Sequence, residues 1–192
     1  MPQLGSTGRL RDAGWCHRTE RATDLTNETI SIRVATPDDE AALTPLITAS
    51  YLMLDDGRYG SAQLAQALEL MSKANPKLLA SGTYFVAEVD GTAGACGGWT
   101  FDKPGSGELV DGVAHIRHLA THPDYLRRGL ALMLIERCLS EARAQGARLM
   151  KTQSTLPAER FYASAGFSRV GPIEVAMGPG VMLPAIEMEL PL

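Results

Sequence analysis

Cysteine is scarce in this chain. There are three, Cys16, Cys96 and Cys138, far apart and odd in number. No two have metal-ligand spacing, so neither a disulfide framework nor a zinc site organises the fold, and no metal is expected. That usage fits a reducing cytoplasm, the location expected here. Long apolar runs are missing as well. Without eighteen consecutive apolar residues there is no helical membrane span. The first residues carry scattered charge and no apolar signal core, so secretion is not indicated. An excess of positive charge is also absent. The 18 Lys and Arg face 22 Asp and Glu, for a net charge of −4. The chain as a whole therefore has no attraction for nucleic acid or an anionic membrane. There is no internal repeat and no low-complexity tract.

What is present is an ordinary globular composition, with 45% hydrophobic and 21% charged residues over a length of 192. One core and one domain are the expectation. Residues 1–28 differ from the rest. They are rich in Gly, Thr, Arg and Asp and lack periodicity, so they read as a flexible or loosely docked extension. The domain is taken as 29–192.

Its opening, Ile30 to Val34, alternates as a half-buried strand. Thr36-Pro37-Asp38-Asp39 reads as a helix start, and Pro45 is expected to kink or end that helix. A second helix is expected over about 61–73. Thr83 to Val89 and Thr92 to Phe101 read as strands about a hairpin turn at Asp90-Gly91. Residues 103–112 read as a loop and Val113 to Thr121 as the next strand. A helix over about 128–145 carries an apolar stripe of Leu130, Met133, Leu134, Cys138 and Ala142, and Gly146 stops it. A short strand from Arg148 to Thr152, a short helix from Pro157 to Ala165, and two strands about Gly178-Pro179-Gly180 complete the chain.

The segment 114–131 carries most of the information. An apolar run, Ile116 to Thr121, reaches Pro123; a short basic loop follows, and a helix starts at once. Several backbone N–H groups are then unpaired and point one way. The helix dipole, Arg127 and Arg128 add positive charge at the same place. That combination cradles a diphosphate. A plain strand–turn–helix with a glycine kept for packing is the other reading. The segment 115–128 also holds Arg117 and three of the four histidines, a local basic cluster in an acidic protein.

The loop Leu126-Arg127-Arg128-Gly129-Leu130-Ala131 resembles the acetyl-CoA loop of the GNAT N-acetyltransferases, Gln/Arg-x-x-Gly-x-Gly/Ala, except that Leu126 replaces a polar residue. A second motif of that family, an alanine, then an aromatic–tyrosine pair, then Gly-Phe, is matched by Ala158 to Phe167, with Thr155 where many members carry asparagine. The resemblance covers residues 30–190 and is strongest over 114–171.

It implies an α/β (α+β) fold, a mixed and mostly antiparallel twisted sheet of about six to seven strands flanked by helices. It implies transfer of an acetyl group from acetyl-CoA, as cosubstrate, to a primary amine of a small molecule or protein in one ternary complex. The N–H groups of Leu126, Arg127, Arg128, Gly129, Leu130 and Ala131 would hold the pyrophosphate. Leu119, Ala120 and Thr121 would pair with the pantetheine arm as an added strand, and a backbone N–H there would polarise the thioester carbonyl. Tyr162 is the candidate general acid for the departing thiolate, a core aromatic being the alternative. His115 falls where histone-modifying relatives carry a glutamate base, and its ordinary pKa suits the task; a hydrogen-bonded histidine without a catalytic role is the alternative. Glu108 and Asp111 are rival bases. His118 alternates away from the strand face of Leu119 and Arg117, and His122 is read as ordering its loop. Cys96 lacks an activating base and is not read as a nucleophile. Gly97-Gly98 marks either a close approach or a bulge. Tyr51, Asp55, Asp56 and Tyr59 lie where acceptor sites are often shaped. Exposed edge strands in such a fold often pair, so a homodimer is one expectation. Two rivals stand beside the enzyme: a non-catalytic acyl-CoA sensor on the same fold, and a nucleotide-binding domain of another class. The loop lacks the Gly-Lys-Ser/Thr ending of a P-loop, which argues against the second.

Overall fold

The computed structural model describes residues 28–192. Residues 1–27, with Cys16 and nearly all of the expected extension, lie outside the described residues. Strands β1 (Ile30–Val34), β2 (Tyr84–Val89), β3 (Thr92–Thr100) and β4 (Val113–Thr121) form an antiparallel run. The β2–β3 turn is the one expected. Asp90 and Gly91 take φ of 50° and 78°, the left-handed pair that a two-residue hairpin needs. Helix α4 (Leu130–Ala144) then carries the chain to β5 (Leu149–Thr155), which is parallel to β4. Helix α5 (Glu159–Ser164) leads to β6 (Ser168–Gly178) and β7 (Val181–Pro191), a long antiparallel pair. Among the described residues the sheet has seven strands, in the order β1-β2-β3-β4-β5-β7-β6.

Each face of the sheet has its own core. On one, α4 buries Leu130, Leu134, Ile135, Cys138 and Ala142 against Phe85, Trp99, Ala114 and Met150. Ile135 and Leu139 belong to that face and were not in the expected stripe, while Met133 is only half-buried. Gly146 ends α4 at φ 91°, and Arg137 pairs with Glu141 on the outer face at 2.6 Å. On the other face lie α1 (Glu40–Leu52), α2 (Ser61–Met71) and α3 (Pro76–Leu79), over Tyr84, Val86 and Cys96.

The first helix departs from expectation. Helix α1 runs on past Pro45 for seven residues, to Leu52. Pro45 is exposed, so the carbonyl it leaves unpaired meets water, while Leu43, Leu46, Ile47 and Tyr51 hold the helix to the core. Burial on one face outweighs the missing hydrogen bond. The short α3 was not expected. Asn75 caps it by accepting from the Lys77 N–H at 3.0 Å, with Pro76 in the first position, the arrangement that suits a helix start.

Candidate active site

β4 and β5 pair at only three positions, Val113↔Leu149, Ala114↔Met150 and His115↔Lys151. Beyond these β4 stays with β3, and β5 stays with β7. A gap opens between them. A bulge in β4 shapes its edge: the β3 register slips between Cys96 and Gly98, and His118 takes φ 50°. The two glycines of β3 answer to close approach and bulge together. A Cβ on Gly97 would collide with Leu119, and one on Gly98 with the Thr83 carbonyl and Tyr84. Four consecutive residues, Ile116 to Leu119, therefore line the gap, where a regular strand would present every second one.

The gap widens into a cavity of about 720 Å³. Thr152, Gln153 and Thr155 of β5 form the opposite wall, and Tyr162 of α5 lies within it. Leu70 and Met71 at the end of α2 and Val175, Met177 and Leu183 of the β6–β7 pair supply an apolar side. Tyr51 of α1 lines it too.

At the head of α4 the backbone is left-handed twice, Arg127 at φ 62° and Gly129 at φ 81°. The first helical hydrogen bond is Met133 N–H to Gly129 O at 3.0 Å. The N–H groups from Arg127 to Leu132 have no partner among the described residues. A Cβ on Gly129 would meet nothing within 4 Å, so the concavity above this turn is open. These are the features of an anion cradle. It begins one residue later than expected, because the Leu126 N–H donates to Pro123 O at 3.3 Å. Leu130 is buried in the core and Ala131 is half-buried, so both offer the cradle their backbone. Arg128 lies over the Tyr125 ring, 5.2 Å from its centroid. His122 caps the preceding turn, accepting from the Asp124 N–H at 3.3 Å.

The β4 residues expected beside a pantetheine arm are placed differently from one another. Leu119 lines the cavity. Ala120 is buried opposite Cys96. The Thr121 N–H donates to Ser50 Oγ at 3.2 Å. Tyr162 is buried, and burial pushes its hydroxyl up to about 12, with the Thr152 side chain pulling the other way.

His115 is not brought to Tyr162. It is 5% exposed and lies outside the cavity lining. Burial first, then Arg117, Lys151 and Lys103, pull its imidazole down to about 4. The rival carboxylates are also outside: Asp111 pairs with Arg148 at 2.9 Å and Glu108 with Lys103 at 4.0 Å. Asp55 and Asp56 are exposed. His118 does lie in the lining. Its Nε2 is 2.7 Å from the Met71 carbonyl, so Nε2 carries the hydrogen, and Nδ1 is a buried acceptor without a partner. Tyr51 packs against its ring at 5.4 Å between centroids. Ser50, Thr152 and the inward turn of Arg117 and His118 carry no sequence signal, since period-two reasoning fails at a bulge.

Residues 80–169 match the family model described as the acetyltransferase (GNAT) domain. No curated protein matches the chain. A GCN5-related N-acetyltransferase from Rhodopseudomonas palustris is 24% identical, with 85% of this chain and 96% of that chain covered and a TM-score of 0.68. PaiA N-acetyltransferase from Thermoplasma acidophilum, solved in complex with coenzyme A, is 15% identical, with 85% and 99% covered and a TM-score of 0.64. The yncA protein of Salmonella typhimurium, solved with acetyl-CoA, is 22% identical, with 85% and 94% covered and a TM-score of 0.56. At these identities the likeness is one of fold. The resemblance read from two motifs is borne out: the segment from 80 to 169 is matched as a GNAT acetyltransferase domain, and the fold is the one its structural neighbours share. No helix of the described residues is long and apolar enough to cross a membrane.

Proposed function

We propose that the protein transfers an acetyl group from acetyl-CoA to a primary amine in one ternary complex. The observation that carries this reading is the line from the open N–H cradle at Arg127 to Leu132, along the unpaired edge of β4, to the cavity that holds Tyr162. A diphosphate fits the cradle, because its N–H groups lack partners and Gly129 leaves the approach free. An amide-bearing arm fits the gap, because β4 there has no neighbour on the β5 side. CoA-bound and acetyl-CoA-bound proteins of the same fold support that choice of ligand.

Direct transfer is favoured over a covalent relay through either cysteine of the described residues. Cys96 and Cys138 are both buried, and burial pushes the Cys96 thiol up to about 12. Neither is a thiolate near neutral pH. The amine nitrogen then attacks the thioester carbonyl carbon, the C–S bond breaks, and the thiolate departs while the nitrogen gives up a proton. Tyr162 serves the departing sulfur. A hydroxyl at about 12 facing a thiolate near 8.5 gives a hydrogen bond more readily than its proton, so its role is charge stabilisation with the proton retained for most of the step. His115, the base expected from the sequence, has the neutral form a base needs but little basicity, and it sits off the cavity. The placement favours an amine that arrives neutral, with proton loss to water.

The test is release of free CoA thiol from acetyl-CoA with an amine panel, alongside thermal stabilisation. Acetyl-CoA should raise the melting temperature well above what ATP or NAD achieves. Stabilisation by acetyl-CoA with no thiol release from any amine would identify a sensor module in place of an enzyme.

A further inference from the structure

The cavity's charge is unusual for a site that receives an amine. Its charged lining residues are Arg117, Lys73 and Glu40. Glu40 is exposed, at the outer rim, and the acids between α1 and α2 stay in solvent. A polyamine or a lysine-rich peptide would find no buried carboxylate in the lining among the described residues. Arg117 is different. Its side chain is 15% exposed. A single nitrogen, Nη1, makes all its bonds: to Thr100 Oγ1 at 2.6 Å, to the Asp102 carbonyl at 3.2 Å and to Asp102 Oδ2 at 2.9 Å. Nε and Nη2 make none among the described residues. One whole edge of a planar fork is thus held in place and left free, the geometry that takes a carboxylate through two parallel hydrogen bonds.

Further features of the cavity bear on the ligand. The β4 bulge at His118 turns Arg117 and its neighbour into the same cavity. His118, one residue from the fork, lines the cavity too, and its Nδ1 is a buried acceptor without a partner among the described residues. One side of the cavity is apolar, formed by Leu70, Met71, Val175, Met177 and Leu183. Along β4, Arg117 and Leu119 are within about 7 Å of each other at strand rise. A guanidinium at one and a thioester beside the other are spanned by one small molecule.

We propose that the acceptor is a small amine bearing a carboxylate, of the α-amino-acid class with an apolar side chain, and that Arg117 selects it through its free Nε–Nη2 edge. This rests on the acetyl-transfer reading and narrows it. Lys73 at the rim adds attraction for the anion. The apolar side of the cavity takes the side chain, and the amino group points toward the gap between β4 and β5.

The experiment compares L-methionine with L-methioninamide, and L-leucine with L-leucinamide, using acetyl-CoA and thiol release. N-acetyl-methionine and its amide are also titrated calorimetrically into the protein with CoA. The free acids should exceed the amides at least tenfold in kcat/KM, and the acetylated acid should bind at least tenfold tighter than its amide. Arg117→Gln should erase both preferences without altering stabilisation by acetyl-CoA. Arg117→Lys, which keeps the charge and loses the fork, should erase most of the preference, and Asp102→Asn should keep it. Equal or better turnover of the amides or of spermidine overturns the proposal and leaves acetyl transfer standing. A binding preference for the acid without thiol release sustains the ligand class and overturns acetyl transfer. Absence of preference in both readouts overturns the proposal.

Discussion

Both carboxylate oxygens of Glu28 sit 2.7 Å from Nη1 of Arg128. Glu28, just before β1, thus pairs with a cation beside the free N–H groups at the head of α4. The two side chains are about one third exposed, so the pair itself contributes little stability, under about 1 kcal/mol. Its effect on an incoming diphosphate is larger in kind, because it neutralises a charge the ligand would use. Glu28→Gln should tighten CoA binding about two- to fivefold in low salt, an effect that screening at 0.5 M salt should shrink. Calorimetry at two salt concentrations checks this; unchanged affinity at low salt would remove Arg128 from the ligand's field.

Gly129 tests the cradle from its backbone. Any side chain there adopts a left-handed φ at a cost of about 1–2 kcal/mol, and it enters the space above the free N–H groups. Gly129→Ala should fold with a lowered melting temperature. Gly129→Glu should in addition lose at least tenfold in CoA affinity, about 1.4 kcal/mol. A folded Glu variant with native affinity would move the diphosphate elsewhere.

Tyr162→Phe keeps the ring among Phe161 and Phe167, whose centroids lie 5.2 and 5.5 Å away. Only the hydroxyl is lost. kcat should fall on the order of 10²-fold with CoA affinity unchanged. Acyl donors with better leaving thiols should recover part of the loss. Native turnover would reduce Tyr162 to packing.

The buried histidines give a pH signature with a definite sign. His115 titrates near 4 in the folded chain and near 6.5 when unfolded. Between those values the unfolded state binds the extra proton, so stability is full above about 6.5 and is lost as pH falls toward 4. His118, lowered mainly by burial, acts in the same direction. Urea midpoints at pH 7 and pH 5 should differ, and His115→Gln should narrow the difference by on the order of 1 kcal/mol. The same variant separates the catalytic readings. If the amine arrives neutral, the acidic limb of kcat/KM survives in His115→Gln; its disappearance would restore His115 as the base.

Local chemistry was readable where one residue decides the backbone. Asp90-Gly91 forced the hairpin, Gly146 ended α4, and Gly166 at φ 94° ended α5. The turn before α4 was readable for the same reason, since Gly129 at φ 81° needs no partner to declare itself. Pro45 misled, because the burial of Leu46 and Ile47 on a distant strand is invisible in a local window. His118 was hidden by the bulge: alternation assigns it the face opposite Arg117, yet both line one cavity. The free edge of Arg117 depends on Thr100 and Asp102, fifteen or more residues away, and no spacing rule reaches that far.

Three residue pairs are all that join β1–β4 to β5–β7 within the sheet. The core under α4 spans that seam, with Ala114, Ile116, Met150 and Ile186 in one cluster, but above it the half-sheets share no ladder. Amide exchange should therefore see two cooperative units. Protection should be highest at Val86 and Cys96 on one side and at Met188 on the other, with β4 beyond His115 opening on its own. A ligand lying along the seam would act as a splint, merging two unfolding transitions into one.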